Sequence, residues 1–168
     1  TGVITVSQNE EYPGRTRFSI GHELGHFELH SNIRQDFNCG EDDFLKWKDE
    51  VGDIEIEANH FASEFLLPSS FIVPEIKVSK PSFEMIEGLA SKYQTSLTAT
   101  AFKVIECTDF VSALVGHREG KIQYVKLSKA FISHGLWIPF GNLPKHSIAE
   151  KIPQSINTNI IKMSPDVW

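Results

Sequence analysis

An α+β fold is predicted by three observations. Apolar residues recur at helical spacing in four segments between residues 16 and 106. Serine and proline punctuate those segments where helices should begin and stop. Two apolar runs then flank the turn-forming "REG" at residues 118–120, which reads as a β-hairpin. The 168 residues suit one domain, or a domain with a small appendage. An apolar fraction of 40% and twelve Phe are enough for a core.

The elements follow in order. Alternation in Val3, Ile4 and Val6 suggests a short strand, closed by the turn-rich "NEEYPG". The chain opens on Thr1, and this strand is expected to belong to a domain that starts further upstream. A first helix is predicted over 16–30, with Thr16 or Ser19 as its cap and Phe18, Leu24, Phe27 and Leu29 as its apolar positions. Residues 31–43 read as a loop, and "FLKWKDE" is ambiguous.

A second helix is predicted over 53–67, capped by Asp53 and ended by Pro68. Its apolar stripe comprises Ile54, Ala58, Phe61, Ala62, Phe65 and Leu66. "SSFIVPEI" suggests a short helical turn. Ser82 and Ser96 should cap two further helices, "FEMIEGLASKY" and "LTATAFKVIE", joined by "QTS" in a helix-turn-helix shape. From Ser128 onward Pro and Gly recur without clear periodicity. Three segments are therefore expected: a core over 1–76, a helix-turn-helix-like pair packed on it over 77–109, and a small β-hairpin-rich C-terminal segment over 110–168.

Composition excludes several classes. No apolar run approaches the roughly 18 residues of a membrane helix. Cys39 and Cys107 make neither a disulfide framework nor a CxxC metal site, which suggests the cytoplasm, where thiols stay reduced. The net charge of -6 argues against a nucleic-acid binder. The charge is uneven: residues 1–76 carry 5 Lys and Arg against 15 Asp and Glu, and residues 77–168 carry 11 against 7. The acid concentrates over 36–57, as a solvated surface or as a rim for a basic partner.

The chemistry concentrates in "RFSIGHELGHFELH", residues 17–30. HExxH on a helix sets His22 and His26 one turn apart and roughly 40° apart around the axis. Both imidazoles can then converge on one zinc ion. Glu23 faces partly away from that pair and can reach water beside the metal as general base. Gly21 and Gly25 keep the facing surface open.

A catalytic zinc usually has three protein ligands. His30 is the tempting third. However, it lies eight residues beyond His22, roughly 12 Å along a straight helix. No Gly breaks the helix to bring it back. His30 is better read as a helix-end residue or as a group supporting the ligands.

A carboxylate from the second helix is the other solution. Glu55 and Asn59 share a face, so Glu55 can bind the metal while Asn59 orients a histidine of the first helix. Glu57 points about 200° from Glu55, so both cannot be ligands, and Glu55 is preferred. Glu64 is expected to be solvated. Ala58 and Ala62 would let the two helices approach closely.

"RFSIGHELGHFELH", "EIEANHFASEFLLP" and "LASKYQTSLTATAFKVIE", taken in order, resemble the ImmA/IrrE family of zinc metallopeptidases. The resemblance covers roughly residues 15–107, with a weaker match in "ALVGHREGKIQYVKLSKAF". It implies a thermolysin-like zincin minimal domain with an active-site helix and a ligand helix. It implies Zn2+ held by His22, His26 and Glu55, with Glu23 as the base. Several members cleave a helix-turn-helix repressor and relieve repression of stress-response or mobile-element genes, so a protein substrate of that kind is implied. Tyr12, His30 and His60 are candidates for an additional oxyanion donor.

The competing expectation is a DNA-binding transcriptional regulator using the helix pair at 82–106. That pair carries Lys92 and Lys103 against Glu84, Glu87 and Glu106, and phosphate binding depends on basic charge. Few of its side chains suit base edges. A module that has lost activity ranks last, because every motif residue is present. His117, His134 and His146 show no ligand spacing.

Overall fold

A computed structural model describes residues 3–4, 13–32, 53–145 and 147. The expected N-terminal strand falls largely outside the described residues. So do residues 33–52, which hold most of the loop expected over 31–43, the ambiguous "FLKWKDE" and most of the acidic stretch, and everything after residue 147. The described residues form six helices and a two-stranded antiparallel hairpin, an α+β arrangement.

Helix α1, Pro13–His30, starts three residues before its expected point. Pro13 fits a helical first turn, where its missing N–H removes no helical hydrogen bond. Neither Thr16 nor Ser19 is the cap, since both lie inside the helix; the Ser19 hydroxyl donates back to the Arg15 carbonyl at 3.2 Å. Gly14 is required by a close approach. A Cβ there would lie 2.5 Å from backbone atoms of Thr95 and Ser96.

Helix α2, Asp53–Leu66, opens at the residue expected to cap it and stops before Pro68. Helix α3, Ser69–Ile76, is a full two turns with Pro74 inside it. Helices α4, Phe83–Tyr93, and α5, Leu97–Cys107, carry the expected serine caps. Met85 N–H donates to Ser82 Oγ at 3.2 Å, and Ala99 N–H to Ser96 Oγ at 3.1 Å. Gln94 closes α4 in the left-handed region, at φ 55°.

Strands β1, Ala113–Arg118, and β2, Lys121–Leu127, pair in register around a turn at Glu119 and Gly120, both with positive φ. A bulge falls at Gly116 and His117. Gly116 lies opposite Tyr124, whose ring fills the space any side chain at Gly116 would need. Helix α6, Lys129–Ser133, escapes the sequence reading because five residues show no periodicity. Ser128 caps it, and the same hydroxyl donates to the Phe110 carbonyl.

Helix α5 is the hub. It packs on α3, α4, β1 and β2. Leu67, Ile72, Ile76, Ile86, Leu89, Ala101 and Val104 form one buried cluster joining α3, α4 and α5. Burying each large side chain contributes about 1.5–3 kcal/mol. Residues 100–105 are all buried, so the second helix of the helix-turn-helix-like pair is a core element.

Glu64 corrects an expectation. It is not simply solvated: its carboxylate accepts from Ser69 N–H at 2.8 Å, from the Ser69 hydroxyl at 2.9 Å, and from Lys103 Nζ. It thereby starts α3 and neutralises a lysine with no exposed side-chain surface. Burial pushes the Glu64 carboxyl up, but the bonds from Lys103 and Ser69 outweigh it and hold it at about 2. A depressed carboxylate pKa contributes stability above the unfolded value of 4.5, and that contribution is lost as pH falls toward 2. Glu64→Ala should cost about 2 kcal/mol near neutral pH, below the ~3–5 of fully buried pairs because Glu64 is 44% exposed and Glu106 stays 3.7 Å from Lys103. Denaturant melts checking this should show the variant's deficit shrinking between pH 4.5 and 2.

Candidate metal centre

The buried face of α1 is made of Gly21, His22, Gly25, His26 and His30. Of the apolar positions expected there, Phe27 and Leu29 are exposed. Polar groups are buried this way only when each finds a hydrogen-bonding partner. The partner is α2, which presents Ala58, Asn59 and Ala62, all buried. Phe65, expected on the same stripe, is instead 59% exposed and stacks on Phe61.

The two helices meet through their smallest residues. A Cβ on Gly21 would sit 3.3 Å from the Ala62 Cβ, and one on Gly25 would sit 3.1 Å from the Ala58 Cα. Any side chain at Gly25 must push α2 backbone aside. This approach brings the polar groups of both helices within bonding distance.

His22 Nε2 and His26 Nε2 lie 3.0 Å apart, and Glu55 Oε2 lies 3.1 and 3.2 Å from them. Among the described residues, His22, His26 and Glu55 are the group of three whose ligand atoms lie close enough to hold a metal ion. On the outer side of the triangle, His22 Nδ1 donates to Asn59 Oδ1 at 3.0 Å. His26 Nδ1 lies 3.1 Å from His30 Nδ1, and His30 Nε2 lies 2.9 Å from Glu57 Oε2.

The donor set fits zinc. Four ligands around an ion at roughly 2.0–2.1 Å are separated by about 3.3 Å, close to the three edges observed. Two imidazoles and one carboxylate are a catalytic zinc set that leaves a position open. Burial holds the His26 imidazole below its ordinary value, and His22 beside it acts the same way against the opposing pull of Glu55. A neutral imidazole is the form that binds metal.

Glu23 is half-buried on α1 beside His22 and near enough for its charge to act on His26. His60 is exposed, and Tyr12 lies outside the described residues. His30 is enclosed between His26 and Glu57. The contact of Glu57 with His30 was not foreseen from the sequence. The rotation of Glu57 away from Glu55 excludes it as a co-ligand, yet that rotation aims it at His30. The spacing of His30 from His26, one turn along α1, is the signal for its supporting place beside a ligand.

A buried two-histidine, one-carboxylate cluster between two helices defines the class, a candidate metal centre of the HExxH-plus-glutamate type. The IrrE N-terminal-like domain of Peptidase M78 matches residues 1–104, and the chain belongs to that family. It is a family of metallopeptidases, so a metal and a protein substrate are implied. A search of curated proteins finds no match. Among the described residues, no helix is long and apolar enough to cross a membrane.

Proposed function

We propose that this chain is a zinc-dependent endopeptidase that cleaves a helix-turn-helix transcriptional repressor in the cytoplasm, relieving repression of stress-response or mobile-element genes. The observation that carries the reading is the convergence of His22 Nε2, His26 Nε2 and Glu55 Oε2 inside a metallopeptidase-family domain. His22, His26 and Glu55 would hold the ion. When bound, zinc lowers the pKa of water to roughly 7 and polarises a carbonyl oxygen.

The protein's own groups do the rest. Asn59 keeps His22 in the tautomer whose Nε2 carries a lone pair. Gly21 and Gly25 admit α2 close enough for Glu55 to join the histidines. The Glu23 carboxylate takes a proton from the attacking water and delivers it to the leaving amine. The thermolysin-like arrangement of the domain, and its division at residues 76 and 109, belong to the same proposal.

Burial across residues 100–105 weighs against the alternative of a DNA-binding regulator, because a recognition helix must present its side chains to a groove. The test is co-expression with the repressor encoded beside the gene. Cleavage that disappears with a chelator and returns with zinc supports the reading. An intact repressor in every arm overturns the substrate assignment. Tight binding to promoter DNA by the isolated protein would restore the regulator.

A further inference from the structure

His30 and Glu57 belong to neither the ligand triangle nor the proton transfers of the proposed reaction. Both are nevertheless tied into it. His30 is 1% exposed, and Glu57, at the rim of α2, is 60% exposed. We propose that Glu57, acting through His30, sets the tautomer of His26 that a metal ion requires. This deepens the reading of His22, His26 and Glu55 as a metal site and rests on it.

An ionised carboxylate only accepts, so His30 Nε2, 2.9 Å from Glu57 Oε2, carries a proton. A metal on His26 Nε2 needs the proton of that ring on Nδ1, and the bond to His30 then closes only if His30 presents its lone pair on Nδ1. That atom lies 3.1 Å from His26 Nδ1, so the His26 Nδ1–H must donate to it. The proton of neutral His26 is now on the outer nitrogen, and its inner Nε2 presents a lone pair. That Nε2 is the atom 3.0 Å from His22 Nε2 and 3.2 Å from Glu55 Oε2.

Reversing the chain makes the opposite case. His30 would turn a lone pair toward the carboxylate, and the His26 proton would move to Nε2, where a ligand needs none. His22, His26 and His30 are each at most 1% exposed, so these ring nitrogens are set by protein partners. Metal-binding histidines commonly donate their outer N–H directly to a carboxylate. Here a second imidazole is inserted, which carries the influence of a rim carboxylate into a buried ring. His22 needs no relay, because Asn59 accepts from it directly. Both orienting residues come from α2, so the helix that brings the third ligand also orients the other two. His30 and Glu57 are positioning residues.

The test uses the full chain and zinc alone. Zinc affinity is measured by competition with a chromophoric chelator for the parent, Glu57→Ala and Glu57→Gln. Melting of each metal-free protein and ring-nitrogen NMR of the zinc-loaded form are recorded alongside. Glu57→Ala should weaken zinc by about 10–100-fold, the range for groups that orient metal ligands. Glu57→Gln should recover part of that loss, since its amide oxygen still accepts. The parent spectrum should show His26 protonated on Nδ1 and His30 on Nε2, and Glu57→Ala should disturb the His30 pattern.

Parent affinity and an unchanged His30 tautomer in Glu57→Ala would overturn the proposal. So would an affinity loss matched by a fall in metal-free melting temperature and not recovered by Gln, which would make Glu57 merely structural. A parent chain that takes up no zinc would overturn the metal-site reading itself, a result separable from either.

Discussion

Glu23→Gln is expected to retain one zinc per chain and to lose repressor cleavage by about 10²–10⁴-fold, the range for removing a general base. The change is isosteric and leaves the atoms of His22, His26 and Glu55 untouched, so neither folding nor metal uptake should move. Because proton transfer occurs only in the reaction, the loss should appear in kcat with KM near the parent value. Single-turnover cleavage of the purified repressor, with zinc content measured on the same sample, reads both halves of the prediction. Cleavage at the parent rate would remove Glu23 from its role and leave the metal site standing.

Glu55→Ala should act on the metal itself. It deletes one of three ligand atoms, the only charged one, and leaves two buried imidazoles facing each other at 3.0 Å. If a four-ligand zinc site releases roughly 10–16 kcal/mol, each ligand accounts for about 3 kcal/mol, or at least roughly a hundredfold in affinity. Zinc titration of the variant checks this, and stoichiometric zinc held at the parent affinity would exclude Glu55 as a ligand. The contrast with Glu57→Ala is informative. Both carboxylates touch a histidine of α1, but loss of Glu55 should weaken zinc by at least roughly a hundredfold and loss of Glu57 by about 10–100-fold at most.

Much of the fold was legible because its signals are local. Ser82, Ser96 and Pro68 act within one turn of where they sit, and each marks a helix end. The "REG" turn needs positive φ at two adjacent residues, and the structure has it at Glu119 and Gly120. What was misread depends on partners distant in sequence. Glu64 looks like any surface glutamate until Lys103, 39 positions away, is buried against it. Phe27, Leu29 and Phe65 have the spacing of a core stripe and are exposed, because the face of α1 that α2 covers is the one carrying glycine and histidine.

The residues of the candidate site were legible for a related reason. HExxH is a statement about one helix, where periodicity alone fixes which side chains share a face. Rotation about α2 likewise separates Glu55 from Glu57 without reference to anything else. By itself, then, the sequence determined two helix faces, one bearing two histidines and one bearing a carboxylate with an asparagine a turn later. It could not determine that these faces meet, or how closely. Only the tertiary structure decided that, by seating Gly21 and Gly25 against Ala62 and Ala58 until Nε2, Nε2 and Oε2 stood within 3.2 Å of one another. The same seating turned Glu57 toward His30. Helical geometry is a property of neighbouring residues, whereas a shared ligand atom cluster exists only once two surfaces have packed.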